Sequence, residues 1–196
     1  MSTSARRDVV AAVVAILAEA GFEGLSLRSV ASRAGVSLGA VQHHFPTKAQ
    51  MVTAALTSIA AEATQRLGEL EQIPDPGERL HALVERLLPS SGDSLVARIW
   101  LSLAARATVD EEAAAAYADL WGRTRAGLRL LLPAAGAPVA TAEDDATELL
   151  ALLDGLALGV VAEAGRMDPE QARRIAHRRV EELLRQPTAR LADDIP

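Results

Sequence analysis

Residues 27–48 read LRSVASRAGVSLGAVQHHFPTK, and this stretch decides the fold. Ser26 is a good N-cap for a helix over 27–34, in which Leu27, Val30, Ala31 and Ala34 share one face. Gly35 permits the positive φ of a sharp turn, and Val36 plugs the angle behind it. Ser37 caps a further helix over 38–44. Ala40 and Val41 face inward there, and the small Gly39 admits a close approach. Phe45-Pro46 ends that helix, because proline disfavours helical geometry in the residue before it. Thr47 and Gln50 have the spacing of a capping box and open a long helix to Glu71. At about 1.5 Å per residue it spans on the order of 35 Å, enough to link two domains. An apolar hinge with an exposed polar edge at Ser37, Gln42 and His43 has the form of a helix-turn-helix, which sets its second helix in a DNA major groove.

Upstream, Ser2 to Arg7 reads as a short polar arm carrying Arg6 and Arg7, either a frayed terminus or a phosphate or minor-groove contact. A first helix over 6–20 puts Val13, Ile16, Leu17 and Ala20 on one buried face. Gly21 suits the left-handed stop after it, with Phe22 as the apolar contact of that cap.

Composition points the same way. The 196 residues are 49% hydrophobic but only 3% aromatic, and no stretch alternates Val, Ile and Thr with period two, so the expected fold is all-α. With no cysteine there is no disulfide framework, thiolate metal site or cysteine nucleophile. No long uncharged apolar run and no signal-peptide core is present, which places the chain in the cytoplasm and away from membranes. The net charge of −6 argues against non-specific nucleic-acid binding by the whole surface. Its distribution is more telling. Residues 24–61 hold no Asp or Glu, yet contain Arg28, Arg33 and Lys48. A surface without carboxylates suits phosphates, which carboxylates repel.

Ile73-Pro74-Asp75-Pro76-Gly77 is the clearest break in the chain. Helices are expected at 76–88, 94–107 and 110–132, a loop at 133–141, and helices at 141–164 and 169–185. The expected domain division is 1–50 for DNA binding, 51–187 as a second helical domain, and 188–196 as a flexible tail. The run LLALLDGLALGVVA is apolar nearly all round, so burial on all sides is expected. Gly155 and Gly159, four apart, offer a partner helix a close approach. Asp154 within that run needs a partner if buried; ligand, dimer and neighbouring chain remain open.

The full wording AGVSLGAVQHHFPTK, after an N-terminal helix ending in AGF, resembles the TetR family of one-component bacterial regulators over residues 6–55. The resemblance implies a three-helix DNA-binding unit, a helical effector and dimerisation domain, and about nine helices in total. It implies a homodimer, in most members a repressor, that binds a pseudo-palindromic double-stranded operator and is released by a small-molecule effector. Arg28, Ser37, Leu38, Gly39, Gln42, His43 and Lys48 match DNA-facing positions of the family. The family most often has Tyr where this chain has Gln42, which leaves two readings: a bidentate bond to adenine or a reach to phosphate. Lys48, the single lysine, sits at a helix N-terminus, where a phosphate between lysine and helix dipole explains the placement.

The C-terminal half resembles the betaine-regulator-like branch in ARIWLSLAARA, the Tyr117–Trp121 pair and LLDGLALG. Trp100, Tyr117, Trp121, Arg98 and Asp154 are the candidate ligand-binding residues, with Arg106 and Arg125 nearby; ordinary core aromatics and surface arginines are the alternative. Residues 142–185 are the expected dimer elements, a four-helix bundle burying Leu149, Leu152, Leu153 and Leu156; an internal core helix is the alternative.

No cofactor and no metal site is expected. Adjacent helical residues point about 100° apart, so His43 and His44 do not chelate together, and His44 packs inward. His81 and His177 look isolated, with surface and pocket roles equally open. No nucleophile constellation, phosphate loop or paired catalytic carboxylate supports an enzyme, whose mark would be turnover of the ligand. The other rival, an interaction module without DNA binding, predicts no salt-sensitive shift of any promoter fragment.

Overall fold

The computed structural model describes residues 3–21, 23–163 and 165–185. Among them the chain is all-helical: α1 Thr3–Ala20, α2 Leu27–Ala34, α3 Leu38–His44, α4 Lys48–Gly68, α5 Pro76–Leu87, α6 Leu95–Ala107, α7 Glu111–Ala134, α8 Ala142–Ala162 and α9 Pro169–Arg185. Short 3₁₀ turns follow α4 (Glu69–Gln72) and precede α8 (Val139–Thr141). Ser2, the Phe22 cap contact and the expected tail at 188–196 lie outside the described residues.

The chain divides into two compact units, Met1–Ala63 with Ser102–Ala116, and Thr64–Leu101 with Tyr117–Pro196. In the first, α1 buries Val9, Val10, Ala12, Val13, Ile16 and Leu17. Ala20 is exposed, because the helix stops there at Gly21 with φ 63°. The expected arm is not an arm: helix starts at Thr3, and Arg6 lies with its guanidinium 5.2 Å from the centre of the Phe45 ring. That stacking joins the start of α1 to the end of α3. Met51 to Leu56 of α4 are buried on every side, so the head of the long helix is the centre of this unit.

The second unit packs around Leu80 and Val84 of α5, Leu128 and Leu132 of α7, Leu149, Leu153 and Leu156 of α8, and Ala172, Ala176 and Val180 of α9. Two expectations are corrected here. Leu149, Leu153 and Leu156 belong to this core, and only Leu152 is partly open, so these leucines cannot also form a dimer surface. Nor is α8 covered all round: Ala151, Gly155, Leu158 and Ala162 stay exposed along one strip. The two glycines differ for the same reason. Gly159 faces Met167 of its own chain at 3.3 Å from where a Cβ would stand, whereas Gly155 faces open space. The loop expected at 133–141 is shorter than its composition suggests. Pro133 sits in the last turn of α7, and residues 139–141 form the 3₁₀ turn.

Candidate functional site

The reading edge is fixed by a series of local caps. Ser26 accepts from Ser29 N–H, and Ser29 Oγ accepts in turn from Ser26 N–H, a complete capping box at the head of α2. Gly35 ends α2 at φ 65°, a conformation open to glycine at little cost. Ser37 Oγ accepts from Ala40 N–H and starts α3. Thr47 Oγ1 accepts from Gln50 N–H and starts α4. Val30 and Val41 are fully buried beneath the turn.

On this frame Arg28, Ser37, Leu38, Gly39, Gln42, His43 and Lys48 are all exposed. Leu38 is 42% exposed. A Cβ at Gly39 would meet nothing within 4 Å, so no contact inside the chain requires glycine there. His44 points inward: its Nε2 is buried without a hydrogen-bond partner among the described residues. Arg33, from the same acid-free window, does not face outward alone. Both of its terminal nitrogens donate to Glu19 of α1, at 2.6 and 2.5 Å. That pairing holds Glu19 below and Arg33 above their ordinary pKa values, chiefly through the hydrogen bonds. Arg33 therefore braces α2 on α1.

The second cluster lies on α6, α7 and α8. Trp100 and Trp121 have ring centres 4.5 Å apart, and Tyr117 stacks on Trp121 at 5.1 Å. Residues 117 and 121 are one helical turn apart, which is why their rings stack on each other. Trp121 Nε1–H donates to Asp154 Oδ2 at 2.6 Å. Burial pushes the Asp154 carboxyl above the ordinary carboxylate range, partly opposed by this bond. Burial also pushes the Tyr117 hydroxyl up; the charge of Asp154 adds to this and that of Arg125 opposes it. Arg125 Nε is buried without a hydrogen-bond partner among the described residues. Four of the five sequence-derived candidates thus meet. Arg98 is exposed on α6, two residues from Trp100 and so about 200° round the helix. Arg106 instead bonds Thr53 Oγ1 of α4 at 3.3 Å and Asp110 at 2.8 Å. A separate cleft of about 500 Å³ is bordered by Gly92, Asp93, Val160 and Met167.

Three packed aromatic rings, one of them bonded to a half-buried carboxylate, suit a small organic cation: ring faces attract it, and the carboxylate supplies the counter-charge. No helix among the described residues is long and apolar enough to cross a membrane.

Two family models match the sequence. Residues 9–55 match bacterial regulatory proteins of the tetR family, and residues 76–185 match the C-terminal domain of BetI-type transcriptional repressors. The HTH-type transcriptional regulator BetI of Burkholderia cenocepacia (strain HI2424) is 30% identical over 183 residues, spanning 91% of this chain and 93% of that one. A transcriptional regulator from Rhodococcus sp. Rha1 superposes with a TM-score of 0.79 at 36% identity, over 91% of this chain and 95% of that one. A regulator from Saccharomonospora viridis, solved in complex with choline, superposes with a TM-score of 0.80 at 26% identity, over 92% and 97%.

Proposed function

The chain belongs to the TetR family of DNA-binding transcriptional regulators and carries a BetI-type repressor C-terminal domain, and from that premise we propose that it is a cytoplasmic repressor released from its operator by a quaternary-ammonium compound. The observation that carries the effector class is the bond from Trp121 to the half-buried Asp154, with Trp100 and Tyr117 packed on the Trp121 ring. A partly desolvated carboxylate is costly to keep ionised, and a cationic ligand lowers that cost. The choline bound to the Saccharomonospora viridis regulator supports the same chemistry.

Operator binding is assigned to Arg28, Ser37, Leu38, Gly39, Gln42, His43 and Lys48, all exposed in a window without a single carboxylate. Two copies of α3 read a pseudo-palindromic site in successive major grooves. The homodimer forms through residues 142–185, and the exposed strip Ala151, Gly155, Leu158 and Ala162 supports α8 as its centre, since small residues let a second helix come close. The effector domain covers residues 51–187, and residues 1–50 are the reading head.

The experiment is a pair of titrations. Tryptophan fluorescence of the purified protein is followed against choline, and binding to the DNA flanking its own gene is followed by gel shift with and without choline. The proposal expects saturable quenching and loss of the shifted band. A shifted band that choline leaves intact, with no fluorescence change, overturns the effector assignment while leaving the DNA-binding one in place.

A further inference from the structure

Two short words recur on helices far apart in sequence: HALVE at 81–85 in α5 and HRRVE at 177–181 in α9. Each puts a glutamate one turn after a histidine. The helices run antiparallel at this point, and the words pair crosswise. His81 Nε2 meets Glu181 Oε1 at 3.2 Å, and His177 Nε2 meets Glu85 Oε1 at 2.6 Å. The two inner nitrogens, both Nδ1, face each other at 2.8 Å. Glu85 is itself held by Arg173 Nε–H at 2.9 Å, and Arg173 also donates to Glu170 at 2.6 Å. The expectation of two isolated histidines is therefore corrected.

Proton counting shows what this arrangement lacks. Glutamate 85 and glutamate 181 accept, so each outer ring nitrogen must carry a hydrogen to make its bond. The inner contact needs one more. Two neutral imidazoles carry one N–H each, so every neutral assignment leaves two acceptors pressed together at one of the three contacts. With both outer nitrogens protonated toward the carboxylates, two lone pairs point at one another. A cation between them removes the conflict.

We propose that His81 and His177 form a site for a divalent transition metal of the zinc class, bridging α5 and α9. A carboxylate on the far nitrogen of a metal-bound histidine fixes its tautomer and raises its basicity, and here both rings have one. Zinc–nitrogen bonds of about 2.0–2.1 Å at a tetrahedral angle set two nitrogens about 3.3 Å apart, so the pair opens by about 0.5 Å. The side chains are 35% and 30% exposed, which gives them room to do so and lets water complete the coordination. Among the described residues no group of three or more His, Cys, Asp or Glu is placed to hold a metal ion. The site is thus a two-imidazole staple, and its occupation strengthens the α5–α9 contact independently of the aromatic cluster.

The test is calorimetric titration of the full-length protein with zinc chloride in a non-coordinating buffer. One zinc per chain is expected. Binding is lost in His81→Gln and in His177→Gln, kept in the His43→Gln/His44→Gln double variant, and weakened about tenfold in Glu85→Gln. Nitrogen-15 imidazole spectra of the unmodified protein add a readout that no variant's folding affects: zinc moves the resonances of His81 and His177. No saturable binding overturns the proposal. So does zinc binding that persists unchanged in both single variants, or that moves the resonances of other histidines instead.

Discussion

Trp121 donates its indole N–H to Asp154 across 2.6 Å, and the bond ties α7 to α8 beside the aromatic cluster. Asp154 interrupts an otherwise apolar run, and burial raises its pKa. Its folded-state pKa lies above the unfolded one, so the native state holds the proton more tightly. Stability is therefore highest below the unfolded carboxylate range and falls as pH rises through the folded value. Asp154→Asn keeps an acceptor for Trp121 and removes the charge. At neutral pH its melting temperature is expected to equal or exceed that of the wild type, with the gap closing in acid. Thermal melts across the pH range measure this.

The same residue sets the pH dependence of the effector. A cation binds the ionised carboxylate, so affinity for the quaternary-ammonium probe rises with pH through the titration of Asp154 and then levels off. In Asp154→Asn that dependence is gone and affinity is lower by about tenfold, or about 1.4 kcal/mol, for the loss of one coulombic contact to the cation. Trp121→Ala removes one aromatic face and costs about 1–2 kcal/mol, or about five- to thirtyfold. Fluorescence or calorimetric titration at several pH values reads both effects.

Gly39 stands in the first turn of α3 with nothing of its own chain near its missing side chain. Gly39→Ala is expected to stabilise the protein by up to about 1 kcal/mol, since alanine is the better helix former. Operator affinity is expected to fall about tenfold, because the added methyl stands where DNA approaches. Denaturant unfolding and fluorescence anisotropy on the same sample separate the two.

Lys48 and Gln42 are distinguished by what each changes. Lys48→Ala weakens binding to all DNA sequences alike and lowers the slope of log affinity against log salt by about 1, as the loss of one phosphate contact does. Gln42→Ala leaves that slope alone and reduces discrimination at one A·T pair by about 1–3 kcal/mol. Anisotropy at several salt concentrations, on operator variants changed at each A·T pair, measures both. If wild type and Gln42→Ala rank every variant identically, the adenine contact is wrong.

Arg106 bonds both Thr53, buried in α4, and Asp110 at the turn between α6 and α7. Removing it leaves the Thr53 hydroxyl short of a partner, at a cost of about 1–2 kcal/mol. Arg106→Ala is expected to bind effector and operator separately almost as before, while the effector lowers operator affinity much less. Operator titrations with and without effector give that coupling directly.

The reading head was legible because its signals are local. Ser26, Gly35, Ser37 and Thr47 each act within four residues, and all of them cap or turn as their spacing implies. The seating of residues 3–7 is not legible locally, because its contact is remote: Arg6 stacks on Phe45 at the end of α3. What covers the leucines of α8 is hidden for a related reason. An apolar run states that it is covered, not by which neighbour, and α5, α7 and α9 cover Leu149, Leu153 and Leu156. The meeting of Trp121 with Asp154 and of His81 with His177 depends on helices 33 and 96 residues apart, beyond the reach of any local pattern. The repeated HxxVE word was the one visible sign of the second.

The most direct measurement of the central claim is operator anisotropy on the DNA flanking the gene, with wild type and Asp154→Asn titrated in parallel with the quaternary-ammonium probe. The account predicts that both proteins bind the DNA with similar affinity, and that the probe releases the wild type at concentrations that leave the variant bound. Release of both proteins at the same probe concentration, or of neither, contradicts it.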